Sequence, residues 1–293
     1  MDRVSMVRLK IQHGTTYSYA RKIVLGPHRF SLRPRESPDL KLILFDLEIA
    51  PQAKINWSHD VAGNSIAIAE FSSPTDYLSI TSCSIVELTA ATWPVFDIAP
   101  TASRYPFLYS DDDWADLGAL LHPQYADPKS LLENWIEGFI MQRPTDTLAL
   151  LKDISNGIFS QISYKSREAE GTQDPTETLN KASGSCRDFA VLFLEAARTL
   201  GFGARIVSGY LYNPDEIYIG SLDAGATHAW VEIYVPGAGW IPFDPTNRTV
   251  GSSNLIPVAV GRDIRQITPV TGNFHGTCSD LIDMSVQVTV EKE

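Results

Sequence analysis

The chain has 293 residues, 44% of them hydrophobic and 20% charged, amounts that fit a folded globular protein and exclude a disordered or collagen-like polymer. Lys and Arg number 24 against 35 Asp and Glu, a net charge of −11, which argues against a general nucleic-acid binder because neutralising phosphate needs a basic surface. No apolar run reaches the ~18 residues of a membrane helix, the start has no apolar signal core, and the few cysteines make no disulfide framework, so a cytoplasmic protein without membrane contact is expected.

The first hundred residues read as strands. Val7 to His13 alternates apolar and polar side chains, and Leu78 to Val86 does so less strictly. Residues 56–71 read as a hairpin, with turn chemistry from Asp60 to Asn64. These signals predict an N-terminal β-sandwich over residues 1–105. Within it, residues 1–41 carry nine Lys/Arg against three Asp/Glu, about +6, which is either a solvated strand face or a patch for an acidic partner. Pro94, Pro100, Pro106, Pro123 and Pro128 predict a linker at 106–128, since proline interrupts ladders and helices. Asp111-Asp112-Asp113 inside it reads as a helix start or solvated loop rather than a metal site.

Helical periodicity opens the second unit, 129–293. Leu132, Trp135, Ile136 and Phe139 share one face with Leu131 and Ile140, and Leu148, Leu151 and Ile158 form a second stripe. A third helix is better defined: Ser185 and Asp188 form a capping-box pair, Phe189, Leu192, Phe193, Ala196, Ala197 and Leu200 its apolar face, and Gly201 its stop. Strands follow at 204–212, 228–235 and 240–244, the last two joined across Pro236-Gly237-Ala238-Gly239, and residues 284–291 alternate as a final strand. The fold class is α+β.

The chemistry gathers around Cys186. It falls in the first turn of its helix, where unpaired backbone N–H groups and the positive end of the macrodipole favour thiolate. A nucleophilic thiolate needs a base, and the base needs an orienting acceptor. One hairpin supplies both: His228 opens its first strand and Asp244 closes its second, before Pro245-Thr246. Paired residues of an antiparallel ladder share a face, so a pair must sum to an even number for Asp244 to stand on the His228 face. A plain four-residue loop pairing Val235 with Trp240 fails that condition. The turn is therefore expected to hold three or five residues, or a bulge, with Gly237 or Gly239 at positive φ. Cys83 and Cys278 read as incidental thiols. His13, His28, His59, His122 and His275 lack metal-ligand spacing, and Gly201-Phe202-Gly203 is a helix stop, so neither a metal nor a cofactor is expected.

Gly184-Ser-Cys-Arg-Asp-Phe-Ala, Arg205-Ile-Val-Ser-Gly-Tyr, Thr227-His-Ala-Trp-Val-Glu-Ile-Tyr and Gly239-Trp-Ile-Pro-Phe-Asp-Pro-Thr resemble the core of the bacterial transglutaminase-like superfamily. Tyr17-Ser-Tyr, Leu32-Arg-Pro-Arg and Asp60-Val-Ala-Gly-Asn resemble the β-rich N-terminal domain of such proteins, and Gly261-Arg-Asp is similar to a run found after their core. The resemblance implies a papain-like catalytic domain with helices on an antiparallel sheet. It makes Cys186 the nucleophile, His228 the general base and Asp244 the orienting carboxylate. It implies a cysteine protease or amide acyl transferase acting on a peptide or protein substrate through a Cys186 thioester. The family adds an upstream oxyanion donor, for which Tyr164 is the candidate and an ordinary core tyrosine the alternative. Crosslinking with an amine acceptor, or a non-catalytic protein-binding scaffold, are the competing readings.

Overall fold

The computed structural model describes residues 6–166, 171–214 and 227–293. Its first third is built from β1 (Val7–Leu25), β2 (His28–Phe30), β3 (Leu40–Ala50), β4 (Ala53–His59), β5 (Ser65–Phe71) and β6 (Thr75–Leu88). β1, β6 and β3 lie side by side in one antiparallel sheet, and β2, β5 and β4 in a second. Phe30 and Ala67 from the second sheet meet Leu78 and Ile80 from the first, burying the alternate residues of each strand between the two sheets. The sandwich is thus the expected one, with β4 and β5 joined at Asp60–Asn64.

The middle of the chain supplies β7 (Arg104–Tyr105), α1 (Asp111–Leu117), α2 (Leu131–Glu137), β8 (Thr145–Asp146), α3 (Thr147–Gln161), β9 (Ser163–Tyr164), α4 (Pro175–Lys181), β10 (Ser183–Gly184) and α5 (Cys186–Thr199). β11 (Ala204–Leu211), β12 (His228–Val235), β13 (Gly239–Asp244), β14 (Thr249–Val250) and β15 (Leu255–Gly261) then form an antiparallel sheet in the order β14-β13-β12-β11-β15. Phe189 and Phe193 of α5 pack with Ile206, Val231, Ile233 and Phe243 of that sheet. Gly201, at φ +86°, ends the helix as its position suggested.

Two expectations about boundaries are corrected. Residues 106–128 are part of the core rather than a linker. Ser110 caps α1 by accepting from the Asp113 N–H, and the backbone N–H groups of Gln124 and Tyr125 donate to the buried Glu195 of α5 at 2.6 and 3.0 Å. The prolines sit between these elements, so they shape the path without preventing its packing.

The second correction concerns the C-terminal end, expected within the unit 129–293. β16 (Val270–Thr271) pairs with β2, β17 (Phe274–His275) with β1, and β18 (Leu281–Lys292) runs along β1 from Leu9↔Lys292 to Tyr17↔Met284. Alternation announces a strand but not its partner. This return also accounts for part of the basic front segment, because Arg8 pairs with Glu293 and Arg21 with Asp280 at 2.9 and 2.8 Å. Between sandwich and core, Leu9, Ile11 and Val86 meet Tyr210, Ile256 and Val258. Inside that contact the buried His13 lies 3.0 Å from both Tyr210 Oη and Thr15 Oγ1.

Candidate active site

The hairpin of β12 and β13 determines which side chains meet. Val235 pairs with Gly239 and Val231 with Phe243, so the turn is the three residues 236–238 and every pair sums to 474. Gly237 and Gly239 take φ values of +86° and +73°, as the parity argument requires. A Cβ on Gly237 would in addition come within 2.5 Å of backbone atoms of Asp97 and Ala99. His228 and Asp244 therefore stand on one face, and His228 Nε2 lies 2.7 Å from Asp244 Oδ2.

Both groups are buried, at 2% and 0% exposure. Asn247 Nδ2 also donates to Asp244 Oδ2 at 2.7 Å, and the Thr246 N–H donates to Oδ1 at 2.9 Å. Burial would by itself disfavour the Asp244 anion, but the His228 charge and these donors hold the carboxyl below its usual range. Burial likewise opposes an imidazolium at His228. The carboxylate, its hydrogen bond and the neighbouring Cys186 thiol outweigh that and push the pKa up to about 10. Nδ1 has no hydrogen-bond partner. Cys186 contributes to that shift through its side-chain contact with the ring and its charge, and with Nε2 taken by Asp244, Nδ1 is the nitrogen left for it.

Cys186 is 8% exposed and opens α5, while Cys83 is half-buried and Cys278 exposed. Asp188, one turn in, reaches back to the Ser185 N–H and Oγ at 2.8 and 2.9 Å. Its other oxygen accepts the Gln173 N–H at 2.7 Å, and Gln173 Nε2 continues to the Ser183 carbonyl at 3.0 Å. The turn carrying the thiol is therefore tied down on both sides. Gly184 is needed there, since a Cβ would lie 2.8 Å from that of Asp188. Tyr164 pairs in register with Gly184 through the parallel β9–β10 contact, which brings it beside this turn, and its ring meets Phe189 edge-on at 6.1 Å. Next to it, residues 159–164 and Phe189 line a cavity of about 200 Å³. The Arg248 guanidinium, four residues past Asp244, lies 4.4 Å from the Phe159 ring.

Cys186, His228 and Asp244 are brought together; Tyr164 lies two residues away in register from the cysteine turn. The supporting roles of Gln173, Thr246 and Asn247 escaped sequence reading, although Asp244-Pro-Thr-Asn247 carries the turn chemistry that produces two of them. Trp230, stacked on the His228 ring at 6.1 Å and 27°, shares its face by the same parity. Among the described residues, no group of three or more His, Cys, Asp or Glu could hold a metal ion. Among them, too, no helix is long and apolar enough to cross a membrane.

The chain is 25% identical to an uncharacterized protein of Mycobacterium leprae over 97% of its own length and 99% of that protein's. It is 27% identical to an uncharacterized protein of Mycobacterium tuberculosis, covering 96% and 92%. Its fold is similar to that of a crystal structure described as a "Putative Cysteine Protease" from Cytophaga hutchinsonii, at TM-score 0.73 and 22% identity, over 98% of this chain and 91% of the other. The model of the transglutaminase-like superfamily matches residues 136–245, which hold all three site residues, and that of the bacterial transglutaminase-like N-terminal region matches 9–87. The chain belongs to the transglutaminase-like superfamily and carries the bacterial N-terminal region ahead of its core.

Proposed function

We propose that the chain is a cysteine-dependent amide hydrolase or acyl transferase acting on a peptide or isopeptide. The observation that carries this is the buried His228 imidazole, hydrogen-bonded through Nε2 to the Asp244 carboxylate and pushed up in pKa in part by the neighbouring Cys186. With the pair as thiolate and imidazolium, Sγ adds to the amide carbonyl and His228 passes its proton to the departing amine. A thioester on Cys186 remains, and water or an amine, deprotonated by His228, releases the acyl group. The backbone N–H of Cys186 has no acceptor within its helix, so it is available to the oxyanion, and Tyr164 is the side-chain candidate beside it. The adjoining cavity, amphipathic and with the Arg248 cation near its Phe159 wall, suits a substrate side chain with an anionic or polar end.

Two measurements test the reading. At pH 6 an ordinary thiol of pKa about 8.5 is only about 0.3% thiolate. A thiolate held against an imidazolium should react with iodoacetamide roughly 10–100-fold faster than free cysteine, despite being nearly buried. Labelling of Cys186 no faster than that of exposed Cys278 would sink the assignment. A peptide and isopeptide library, run with and without an added primary amine, should then show amine release that Cys186→Ala abolishes. The acceptor found on the acyl product separates hydrolysis from crosslinking, and no turnover by the wild type alongside slow labelling would leave a binding scaffold.

A further inference from the structure

The run Asp60-Val-Ala-Gly-Asn64 belongs to the sandwich, yet its contacts lead to the catalytic hairpin. Asn64 is 1% exposed, and its amide donates to the Val260 carbonyl at 2.7 Å while accepting the Val260 N–H at 2.8 Å. β15 is the last strand of its sheet, so one side chain here stands in for a missing strand partner. The same amide donates to Asp60 Oδ2 at 2.9 Å and accepts from Arg35 Nη1 at 2.7 Å. Asp60 in turn accepts the Ala62 and Asn64 N–H groups at 3.0 and 2.9 Å, which fixes the turn's shape.

Val260 and Ala62 pack in one cluster with Trp230, whose ring lies over His228. On another side the indole closes onto Gly209, the ladder partner of His228, where a Cβ would lie 2.7 Å from the ring. The indole N–H is buried with no hydrogen-bond partner. Packing alone therefore orients this ring, and the sandwich supplies part of that packing.

We propose that the Asp60–Asn64 turn is a positioning element for the His228 imidazole, acting through Asn64, Val260 and Trp230. The sandwich is then part of the machinery that holds the thiol's partner in place, rather than only a neighbour of the cleft. The inference rests on the reading of His228 as the partner of Cys186.

The test uses the full chain and the rate of Cys186 alkylation by iodoacetamide from pH 4 to 10. Asn64→Ala should slow labelling at pH 6 by about tenfold and shift the profile, in a protein whose circular dichroism stays native. Trp230→Phe leaves every hydrogen bond of the turn intact and should produce the same shift. The double variant should do no more than either single one, because both act on one path. A merely structural Asn64 would lower the melting temperature and leave the pH profile unchanged, and that result overturns the proposal, as does additivity. Should Asn64→Ala fail to fold, Trp230→Phe decides alone: an unshifted profile refutes the path. His228→Gln separates the two levels of the argument. If it labels like wild type, the functional reading falls and this inference with it; if it labels slowly while the Asn64 and Trp230 variants match wild type, only this inference falls.

Discussion

Asp244→Asn keeps size and shape while removing the charge on which His228 depends. Two donors converge on Asp244 Oδ2, from His228 Nε2 and Asn247 Nδ2, and a third, the Thr246 N–H, reaches Oδ1. An asparagine can offer its oxygen to only one side. With its NH2 at the Oδ2 position it faces the Asn247 donor and forces His228 Nε2 to accept, which moves the ring proton to Nδ1 and leaves no lone pair for the thiol proton. With the amide reversed, the NH2 meets the buried Thr246 N–H, and a buried unsatisfied donor costs roughly 1–3 kcal/mol. In both orientations burial is no longer opposed by a carboxylate, so the His228 pKa falls from about 10 toward and below its ordinary value. His228 is then neutral at neutral pH and cannot hold the proton that the proposed nucleophile must lose, and by analogy with other triads turnover should fall about 10³–10⁴-fold. Cys186 alkylation at pH 6 should drop toward the rate of free cysteine, with thermal unfolding showing a modest loss. Wild-type labelling across pH 5–9 in a folded Asp244→Asn protein would refute the argument and reduce Asp244 to turn chemistry.

Two further outcomes concern stability. Burial lowers the His13 pKa to about 4, below the ordinary 6.5 it regains on unfolding. The unfolded chain thus takes up the proton first as pH falls, and stability is lost from pH 6.5 down to 4, about 2 kcal/mol of it between pH 7 and 5. His13→Gln should flatten that part of the pH dependence in urea unfolding, and an unchanged slope would exclude His13 as its source. Glu195 is buried against Arg198 at 3.0 Å and also accepts the Gln124 and Tyr125 N–H groups. Glu195→Ala should cost about 3–5 kcal/mol, since it strands a buried guanidinium, and a loss under 1 kcal/mol would mean that Arg198 is satisfied by its carbonyl contacts alone.

What could be read in advance was local in origin. Helix α5 carries its start, face and stop within seventeen residues, from Ser185 to Gly201, and the structure reproduces all three. The Asp60–Asn64 turn was legible because an aspartate can satisfy two nearby N–H groups by itself. Long-range choices were not legible. Nothing in the alternation of residues 284–291 selects β1 as partner over β3 or β15, since edge strands offer similar unpaired groups. The prolines of 106–128 signalled breaks correctly, but whether a broken segment packs depends on the buried Glu195 some seventy residues later.

The site follows the same division, with one exception. Asp244 and His228 are sixteen residues apart, yet their meeting could be argued from strand parity before any coordinates, because a face is a count of residues modulo two. The turn then has to supply the odd loop length, and it does so with two glycines at positive φ. Parity does not say what holds the imidazole at its correct angle once it is on that face. That depends on Trp230, which has the right parity but owes its orientation to Val260, Gly209 and Ala62 from three other strands and turns. A face can therefore be deduced from one hairpin, whereas the geometry needed for proton transfer is a property of both modules packed together.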